Sequence, residues 1–571
     1  MPQLSQSLLE RTQASKGEFR GRRRSRLIAT ANYVVDTISQ RQSGIYYTPD
    51  VAARVMAEWA VCSDDTKVLE PCFGSGVFLA AVREVQTVRH LARVQTYGVE
   101  LMKEAYDSAV RTTMIRADQA ILGDFLGVKP FPVDAVIGNP PYVRLRNLPD
   151  EQAKLAIRVT RDVLGAPVDK AGSVWMAFVL HATRFLGKGG RIALVLPYEI
   201  TYVRYARTLW RFLGSNFGNI RIARVKERLF PDILQEAIIL FADDYGATTD
   251  EVTFEAYQTT RSLAECTPAI CSQIALNCIV NGDRPFLKAL LPDQLNSLLE
   301  GRLAPMLAPV REHCVFNIGY VSGDKGFFHP DNQTIEYLDL PETSLVRTIS
   351  TSRELKCVGI RTSSMPTYNA TKLFYPGADL SYGEKKYILK GELDGVNRGY
   401  KCSRRTPWYK VPDVRVPDLI LSVFRDVPSL LLNDAGLTAS NSLLCGFLRH
   451  SCNAHQFMAA WYTSLTLLFC ELQVHSLGGG VLILIPGEVA TVKIPKPGIL
   501  PISHIEDLDL AIRSGNGNPY RSGDKPLLID HMKLTHIEVD LIREGIKLLS
   551  KWRTSAQVDM TDQDCRTVSI I

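Results

Sequence analysis

The sequence predicts an α/β protein. A doubly wound sheet with helices on both faces is expected over residues 44–245, followed by a mixed α+β domain at 290–571. Three observations predict this. Short apolar runs alternate with amphipathic helical stretches through the first half of the chain. Several of the runs, such as ALVL (193–196) and AIILF (237–241), are apolar throughout, as strands are when helices cover both faces of a sheet. Beyond residue 250 the texture changes to short β-like runs broken by Pro, Gly, Asn and Asp.

Residues 1–43 read as a polar, partly helical arm. Its basic run at 20–26 reads equally as a phosphate contact or as a solvated tail. Strands are expected at 67–70, 96–100, 134–138, 191–197, 220–225 and 236–241, with amphipathic helices such as 51–61 and 175–186 between them. Residues 246–289 read as a helical connection. In the second domain the runs LILSVF (419–424) and VLILIP (481–486) have the apolar density of core strands.

Composition narrows the class. A length of 571 residues implies two to four domains at about 100–200 residues each. No window offers the roughly 18 uninterrupted apolar residues of a membrane helix, and the first residues lack an apolar signal core. A soluble, cytoplasmic chain with no membrane association is therefore expected. The twelve cysteines include no CxxC pair, and Cys266, Cys271 and Cys278 are not spaced like zinc ligands, which predicts a reduced chain with no metal. The formal net charge of +6 is too mild to name a partner.

The first chemical signal is VLEPCFGSGVFLAAV (68–82), which runs strand, acid, Gly-x-Gly, helix. Gly74 and Gly76 let the backbone turn tightly and approach a ligand. The spacing is neither a full GxGxxG nor a P-loop. The next strand, in TYGVEL, ends at Glu100, where an acid suits ribose hydroxyls. A third acid follows in LGDFL, where Asp124 would accept from an adenine and Phe125 would pack on it. One such acid alone is a solvated strand end. Three in order around a Gly-x-Gly turn point to a nucleoside pocket.

The second signal is VIGNPPYVRL (136–145), an apolar strand running into Asn-Pro-Pro-Tyr. Two prolines end the strand ladder, and each pushes its preceding residue to an extended conformation. Asn139 and Tyr142 are thus held in a rigid turn at a strand's carboxyl end, where doubly wound sheets bind ligands.

With these motifs in this order, the sequence resembles the class I (Rossmann-like) S-adenosylmethionine-dependent methyltransferases. The particular likeness is to the γ group of DNA (adenine-N6) methyltransferases of restriction–modification systems. YYTPDVAARVM (46–56), the Asn-Pro-Pro-Tyr turn, GKGGRIALVLP (187–197) and RLFPDILQEAIILF (228–241) carry the resemblance along with the glycine-rich turn. It implies S-adenosylmethionine contacts at Thr48, Glu70, Pro71, Phe73, Gly74, Gly76, Glu100, Leu101, Asp124, Phe125 and Pro141. It implies catalytic roles for Asn139, Pro140, Tyr142 and Phe230, with the two aromatic rings sandwiching a base flipped out of duplex DNA. Phe230 reads also as a core phenylalanine. Tyr198-Glu199 departs from the small or Asn-containing turn often found after the fifth strand, a change that would tune the pocket.

The resemblance further implies that 290–571 is a target-recognition domain. Its most suggestive stretch, NRGYKCSRRTPWYKV (397–411), interleaves Arg398, Lys401, Arg404, Arg405 and Lys410 with aromatics, and reads equally as a DNA contact or a solvated basic loop. Glu354-Leu355-Lys356 forms an ExK tripeptide, and residues 1–43 are too few for a nuclease domain, so no nuclease is expected. A separate cognate restriction endonuclease is an expected partner. N4-cytosine methylation, methylation of a protein glutamine, and DNA binding without turnover are the rival readings.

Overall fold

The computed structural model describes residues 50–167, 172–227, 236–355, 359–365, 371–425, 427–477, 480–497, 505–514 and 518–554. The chain divides into two compact units, Met1–Pro285 and Phe286–Ile571. The arm at 1–43, Thr48 and Phe230 lie outside the described residues.

The first unit is built on nine strands: β1 (Lys67–Glu70), β2 (Gln95–Glu100), β3 (Ala120–Leu122), β4 (Val133–Gly138), β5 (Leu186–Pro197), β6 (Phe217–Val225), β7 (Ala237–Tyr245), β8 (Glu251–Tyr257) and β9 (Ile270–Ala275). They form one sheet in the order β3-β2-β1-β4-β5-β7-β6-β8-β9. β1 to β5 run parallel, and β7 is antiparallel to both β5 and β6. A parallel sheet that reverses direction of growth at β1/β4, with an antiparallel hairpin strand inserted at the far side, is the doubly wound arrangement that the alternating pattern predicts.

Helices cover both faces. α1 (Asp50–Ala60) buries Ala52, Ala53, Met56, Ala57 and Ala60 against Val68, Ile137 and Ala193 of the sheet. α2 (Val77–Val88) joins the same core through Phe78, Ala81, Val82 and Val85. α3 (Lys103–Arg111) and α4 (Asp150–Leu164) are more exposed, whereas every residue of α5 (Trp175–Thr183) is buried. α6 (Ala206–Asn216) precedes β6. With helices on both sides, β5 buries Ile192 to Leu196 completely, which is why its sequence does not alternate.

The strand implied before Asp124 is β3, only three residues long and too short to show a periodicity of its own. One expectation is corrected. Residues 246–289 are not a helical connection: β8 and β9 extend the sheet beyond β6. EVTFEAY does alternate, and its buried positions Val252, Phe254 and Ala256 are those of a half-buried strand. Pairing with β8 satisfies the edge of β6 that would otherwise expose its backbone groups.

The second unit is mixed α+β. A four-stranded sheet pairs β10 (Cys314–Ile318), β11 (Leu419–Ser422), β12 (Leu430–Leu432) and β13 (Leu443–Leu448) in the order β10-β13-β11-β12. The leucine-rich run 419–422 is thus a central core strand, as its composition predicts. Helix Ser464–Gln473 is nearly all buried and is tied to the helix His536–Thr554 by one direct ion pair and by a second relayed through Asp524. Arg553 grips Glu471 through two nitrogens at 2.9 and 2.8 Å. Arg543 reaches Asp524 at 2.8 Å, and the same carboxylate accepts from Ser464.

Candidate active site

β1 and β4 are neighbours at the point where the strand order reverses, so their carboxyl ends open a crevice together. Glu70 ends β1 and Gly138 ends β4. The chain after Glu70 turns on glycines: Gly76 has φ 80° and caps α2 in the left-handed region, while Gly74 has φ 50°. A Cβ at Gly76 would overlap the Met114 side chain, whereas one at Gly74 would meet nothing within 4 Å. Gly76 is therefore required by its left-handed backbone, with Met114 packed close against it, and Gly74 faces open space. Pro71 lies against Gly138, where a Cβ would come 3.0 Å from the proline ring.

Glu100, at the end of β2, is fixed by two backbone donors. Its Oε2 accepts from the Gly74 amide and its Oε1 from the Met102 amide, both at 2.8 Å. The carboxylate is only 6% exposed, yet each oxygen keeps a second lone pair. Leu101, next to it, is 51% exposed. Glu70 is different. It is buried, and its Oε2 has no hydrogen-bond partner among the described residues. Burial, and then the charge of Glu100, push its carboxyl well above the usual carboxylate range. Asp124 is half-buried and accepts from the Leu126 amide at 2.9 Å, closing the turn that follows β3.

Two sequence-derived contacts are corrected. The ring of Phe125 is 2% exposed and packs against Phe178, His181 and Phe185 with centroids 4.8–5.4 Å apart. It belongs to the core under α5 and is not free to stack on an adenine. The ring of Phe73 is buried with Leu79, Ala109 and Ile115. Phe73 shapes the site through its backbone, donating to the Val99 carbonyl and accepting from the Gly76 amide.

The Asn-Pro-Pro-Tyr turn sits at the tip of β4. Pro140 is buried, while Asn139, Pro141 and Tyr142 are half-buried. The Tyr142 hydroxyl lies 2.8 Å from the Asn139 Oδ1 and 3.1 Å from the Val195 carbonyl of β5, and shares its one proton between them. The tyrosine is therefore tethered by its hydroxyl, which fixes the tilt of its ring. The Cys72 thiol, pushed up by burial, donates to the Asn139 carbonyl at 3.2 Å. That bond joins the glycine-rich turn to the Asn-Pro-Pro-Tyr turn.

Sequence reasoning missed the group that anchors the next residues. Arg144 donates to Glu199 Oε2 at 2.9 Å, and Glu199 Oε1 accepts from Trp175 Nε1 at 3.0 Å and from the Tyr205 hydroxyl at 2.7 Å. Glu199 is 9% exposed. One buried carboxylate thus ties the segment after Tyr142 to α5 and to the loop after β5. The signal was present as the unusual Glu199 itself.

In the second unit, Arg398, Lys401, Arg404 and Lys410 are exposed. Arg404 lies 3.9 Å over the Tyr400 ring and donates to its hydroxyl. Arg405 is not available to a phosphate, which corrects the sequence reading: it donates to the Ser322 and Val321 carbonyls at 2.7 and 2.6 Å. Glu354 of the ExK tripeptide has both oxygens occupied by Ser350, Thr351 and Thr371 donors, which makes it a structural carboxylate.

Comparison with known proteins extends this picture. Residues 33–234 match the family described as N-6 DNA Methylase. That stretch, which holds the glycine-rich turn and the Asn-Pro-Pro-Tyr turn, is similar to the N-6 DNA methylases. Residues 283–522 match the C-terminal domain of the type II methyltransferase M.Eco57I. The chain is 23% identical to the type II methyltransferase M.AccI of Acinetobacter calcoaceticus over 70% of its length and 75% of that relative. It is 31% identical to M.TthHB8I of Thermus thermophilus over 33% of this chain, and spans 45% of that relative. Among solved structures, the type IIL restriction-modification enzyme MmeI in complex with DNA aligns over 86% of this chain and 70% of its own, with 12% identity and a TM-score of 0.48.

The cofactor is S-adenosylmethionine. The residues present fit it. The buried, unpartnered oxygen of Glu70 calls for a cation or donor, the Gly74 edge of the turn leaves space, and Glu100 retains acceptor capacity for a diol. No helix among the described residues is long and apolar enough to cross a membrane.

Proposed function

We propose that the chain transfers a methyl group from S-adenosylmethionine to the N6 amine of an adenine turned out of duplex DNA. The observation that carries the reading is the placement of Asn139 and Pro140 at the tip of β4, beside the acid-and-glycine crevice at the ends of β1 and β2. Glu100 and the turn at Gly74 and Gly76 would hold the nucleoside part of the cofactor, with Leu101 covering a face of its ring, Asp124 accepting from its base, and Pro71 and Pro141 lining the crevice. Glu70 would face the cationic end, and Thr48 would close over it. Bound S-adenosylmethionine supplies an electrophilic sulfonium methyl.

The chain's task is to make a poor nucleophile better. An adenine amine delocalises its lone pair into the ring. The Asn139 Oδ1 and the Pro140 carbonyl would each accept one N–H, which favours a tetrahedral nitrogen and raises its electron density in the transition state. Proline fixes the carbonyl direction and adds no competing donor. The Tyr142 hydroxyl donates to Asn139 Oδ1 and so holds that acceptor in a fixed orientation. The tethered Tyr142 ring would stack on one face of the base and Phe230 on the other. Unstacking the base costs on the order of a few kcal/mol, which that sandwich partly offsets.

The second unit would read the DNA sequence, with Arg398, Lys401, Arg404 and Lys410 as phosphate contacts. The match of residues 283–522 to the C-terminal domain of a type II methyltransferase supports this division of labour. The natural setting is a cytoplasmic restriction–modification system with a cognate endonuclease as a separate protein. The deciding experiment is transfer from methyl-labelled S-adenosylmethionine to duplex DNA followed by nucleoside analysis. N6-methyladenine is expected; label found in N4-methylcytosine, or only in protein, overturns the reading.

A further inference from the structure

The basic stretch at 397–411 drew attention in the sequence, but the structure presents a better reading element just before it. Helix α7 (Tyr382–Leu393) is mounted rigidly. Ser381 and Glu384 close a capping box at its start. Its inner face buries Gly383, Glu384, Tyr387, Ile388 and Gly391. Tyr387 stacks on Phe327 at 4.6 Å with an 8° interplanar angle, and its hydroxyl donates to the Phe327 carbonyl. Two glycines bring the helix close: a Cβ at Gly383 would overlap the Leu338 carbonyl, and one at Gly391 would sit 2.5 Å from the Phe327 ring.

The outer face is unlike an ordinary solvated helix face. Tyr382, Lys385, Lys386, Leu389, Lys390 and Leu393 fall at helical spacing and are all exposed. Tyr382 is 78%, Leu389 55% and Leu393 80% exposed. None of the three lysines forms an ion pair among the described residues, although cations elsewhere in the unit do, including Lys288, Arg302, Lys372 and Lys547. The helix's own carboxylates are engaged elsewhere: Glu384 in the capping box, and Glu392 with Trp408 Nε1 at 3.0 Å. Asp394 sits past the end, at the C-cap. The face is therefore a positive stripe with three large hydrophobic side chains; Asp331 lies near enough to feel the charge of Lys390, but no ion pair joins them among the described residues.

We propose that α7 is the helix that reads DNA, with this face set into the major groove of the duplex. The proposal rests on the DNA methyltransferase reading given above. Twelve residues make a rod about 18 Å long, and a groove about 12 Å wide admits it. Lys385, Lys386 and Lys390 neutralise phosphates on either side. Leu389 and Leu393 contact base edges, where a thymine methyl is the matching apolar group. Tyr382 packs beside Lys386, whose ammonium lies 5.3 Å from its ring centroid. The exposed cations at 398–404 continue the positive surface from the C-terminal end of the helix.

The test uses the full chain, a duplex carrying the site mapped from its own methylated positions, and a scrambled duplex of equal length. Fluorescence anisotropy over a salt series reads both affinity and site preference. In the variant K385A/K386A/K390A the slope of log Kobs against log salt should shrink by about 2.7, at about 0.9 per phosphate contact. In L389A/L393A the preference for the site over the scrambled duplex should fall about tenfold or more, the scale of base discrimination. A Lys→Gln set at the same three positions repeats the first measurement should the alanine variant fold poorly, as checked by circular dichroism. Unchanged salt slope and unchanged preference overturn the proposal. So does retained DNA binding with lost self-association in sedimentation, which would make the face a protein contact. Failure of the unmutated chain to methylate any DNA would instead sink the underlying reading, and it shows in that chain alone.

Discussion

The two units carry their chemistry in different ways. In the first, the proposed functional groups lie in short contiguous turns whose geometry the backbone dictates. In the second, they lie on surfaces whose orientation only packing decides. At the Asn-Pro-Pro-Tyr turn, neighbours fix each group at hydrogen-bond distance: Cys72 on the Asn139 carbonyl, and Tyr142 between Asn139 and Val195. In the basic stretch at 397–411 two adjacent arginines part company. Arg404 lies on an exposed tyrosine, and Arg405 holds two backbone carbonyls. Preorganised turn chemistry and surface recognition therefore break differently, and mutations separate them.

The largest effect is expected at the turn. Asn139→Ala should lower single-turnover methyl transfer by about 10²–10³-fold, the scale for removing one preorganised group that acts on developing charge. Cofactor and DNA affinity should remain within a few-fold. If titrations show both affinities lost together with transfer, Asn139 is a structural residue and the comparison loses its strongest member. Glu199→Ala should come next. It removes the acceptor shared by Arg144, Trp175 and Tyr205, and a slight misplacement of the turn costs rate even at a distance. A fall of about 10–100-fold in kcat with little change in KM for cofactor is expected, and Glu199→Gln should recover part of it.

What the sequence disclosed follows the same division. β1 was legible residue for residue and α1 to within one residue, because the apolar run at 67–70 ends on an acid and the apolar positions of 51–61 keep helical spacing. The positions of Glu100 at the end of β2 and of Asn139 just past β4 were legible because each apolar run stops at a polar residue. Phe125 and Phe73 were misread because an aromatic beside a polar motif carries no sign of which way it points; α5 supplied the aromatic partners that took Phe125 inward. β8 and β9 were missed because the irregular texture after residue 246 obscured a seven-residue alternation. The outward stripe of α7 was passed over because lysines among leucines read as an ordinary helix until the buried face is known.

Glu70 tests whether the first unit's site is built for a ligand at the expense of its own stability. Its folded carboxyl is raised by burial, so the proton it prefers in the fold is lost as pH rises, and ligand-free stability falls with it. Glu70→Gln should raise the thermal midpoint of the ligand-free chain near neutral pH, since an unsatisfied buried group costs about 1–3 kcal/mol. The same variant should bind S-adenosylmethionine more weakly by calorimetry. A lower midpoint would mean that the charge is satisfied without the cofactor. In the second unit, Arg405→Ala should destabilise the fold by about 1–3 kcal/mol in urea unfolding, because two partly buried carbonyls lose their donors. Arg404→Ala should leave the unfolding curve in place and reduce the salt slope of DNA binding by about 0.9. Equal behaviour of the two variants would erase the distinction drawn between them.

The smallest effect concerns the aromatic core beneath the site. Burial holds the imidazole of His181 down to about 4, with the nearby Arg184 charge acting in the same direction, while its Nε2 lies 3.1 Å from the Val128 carbonyl. The folded chain thus refuses a proton that the unfolded chain accepts near the ordinary value of 6.5. The contribution of His181 to stability is full above about pH 6.5 and is lost as pH falls toward 4. His181→Gln, which keeps a donor for Val128, should therefore show a shallower loss of stability across that window than the parent chain, with the two curves parallel above pH 7. Curves that stay parallel down to pH 4 would show that the imidazole is reached by water. The packing of Phe125 against it would then be looser than the 4.8 Å ring contact implies, and the adenine-side wall of the crevice would regain the freedom that the sequence first assigned to it.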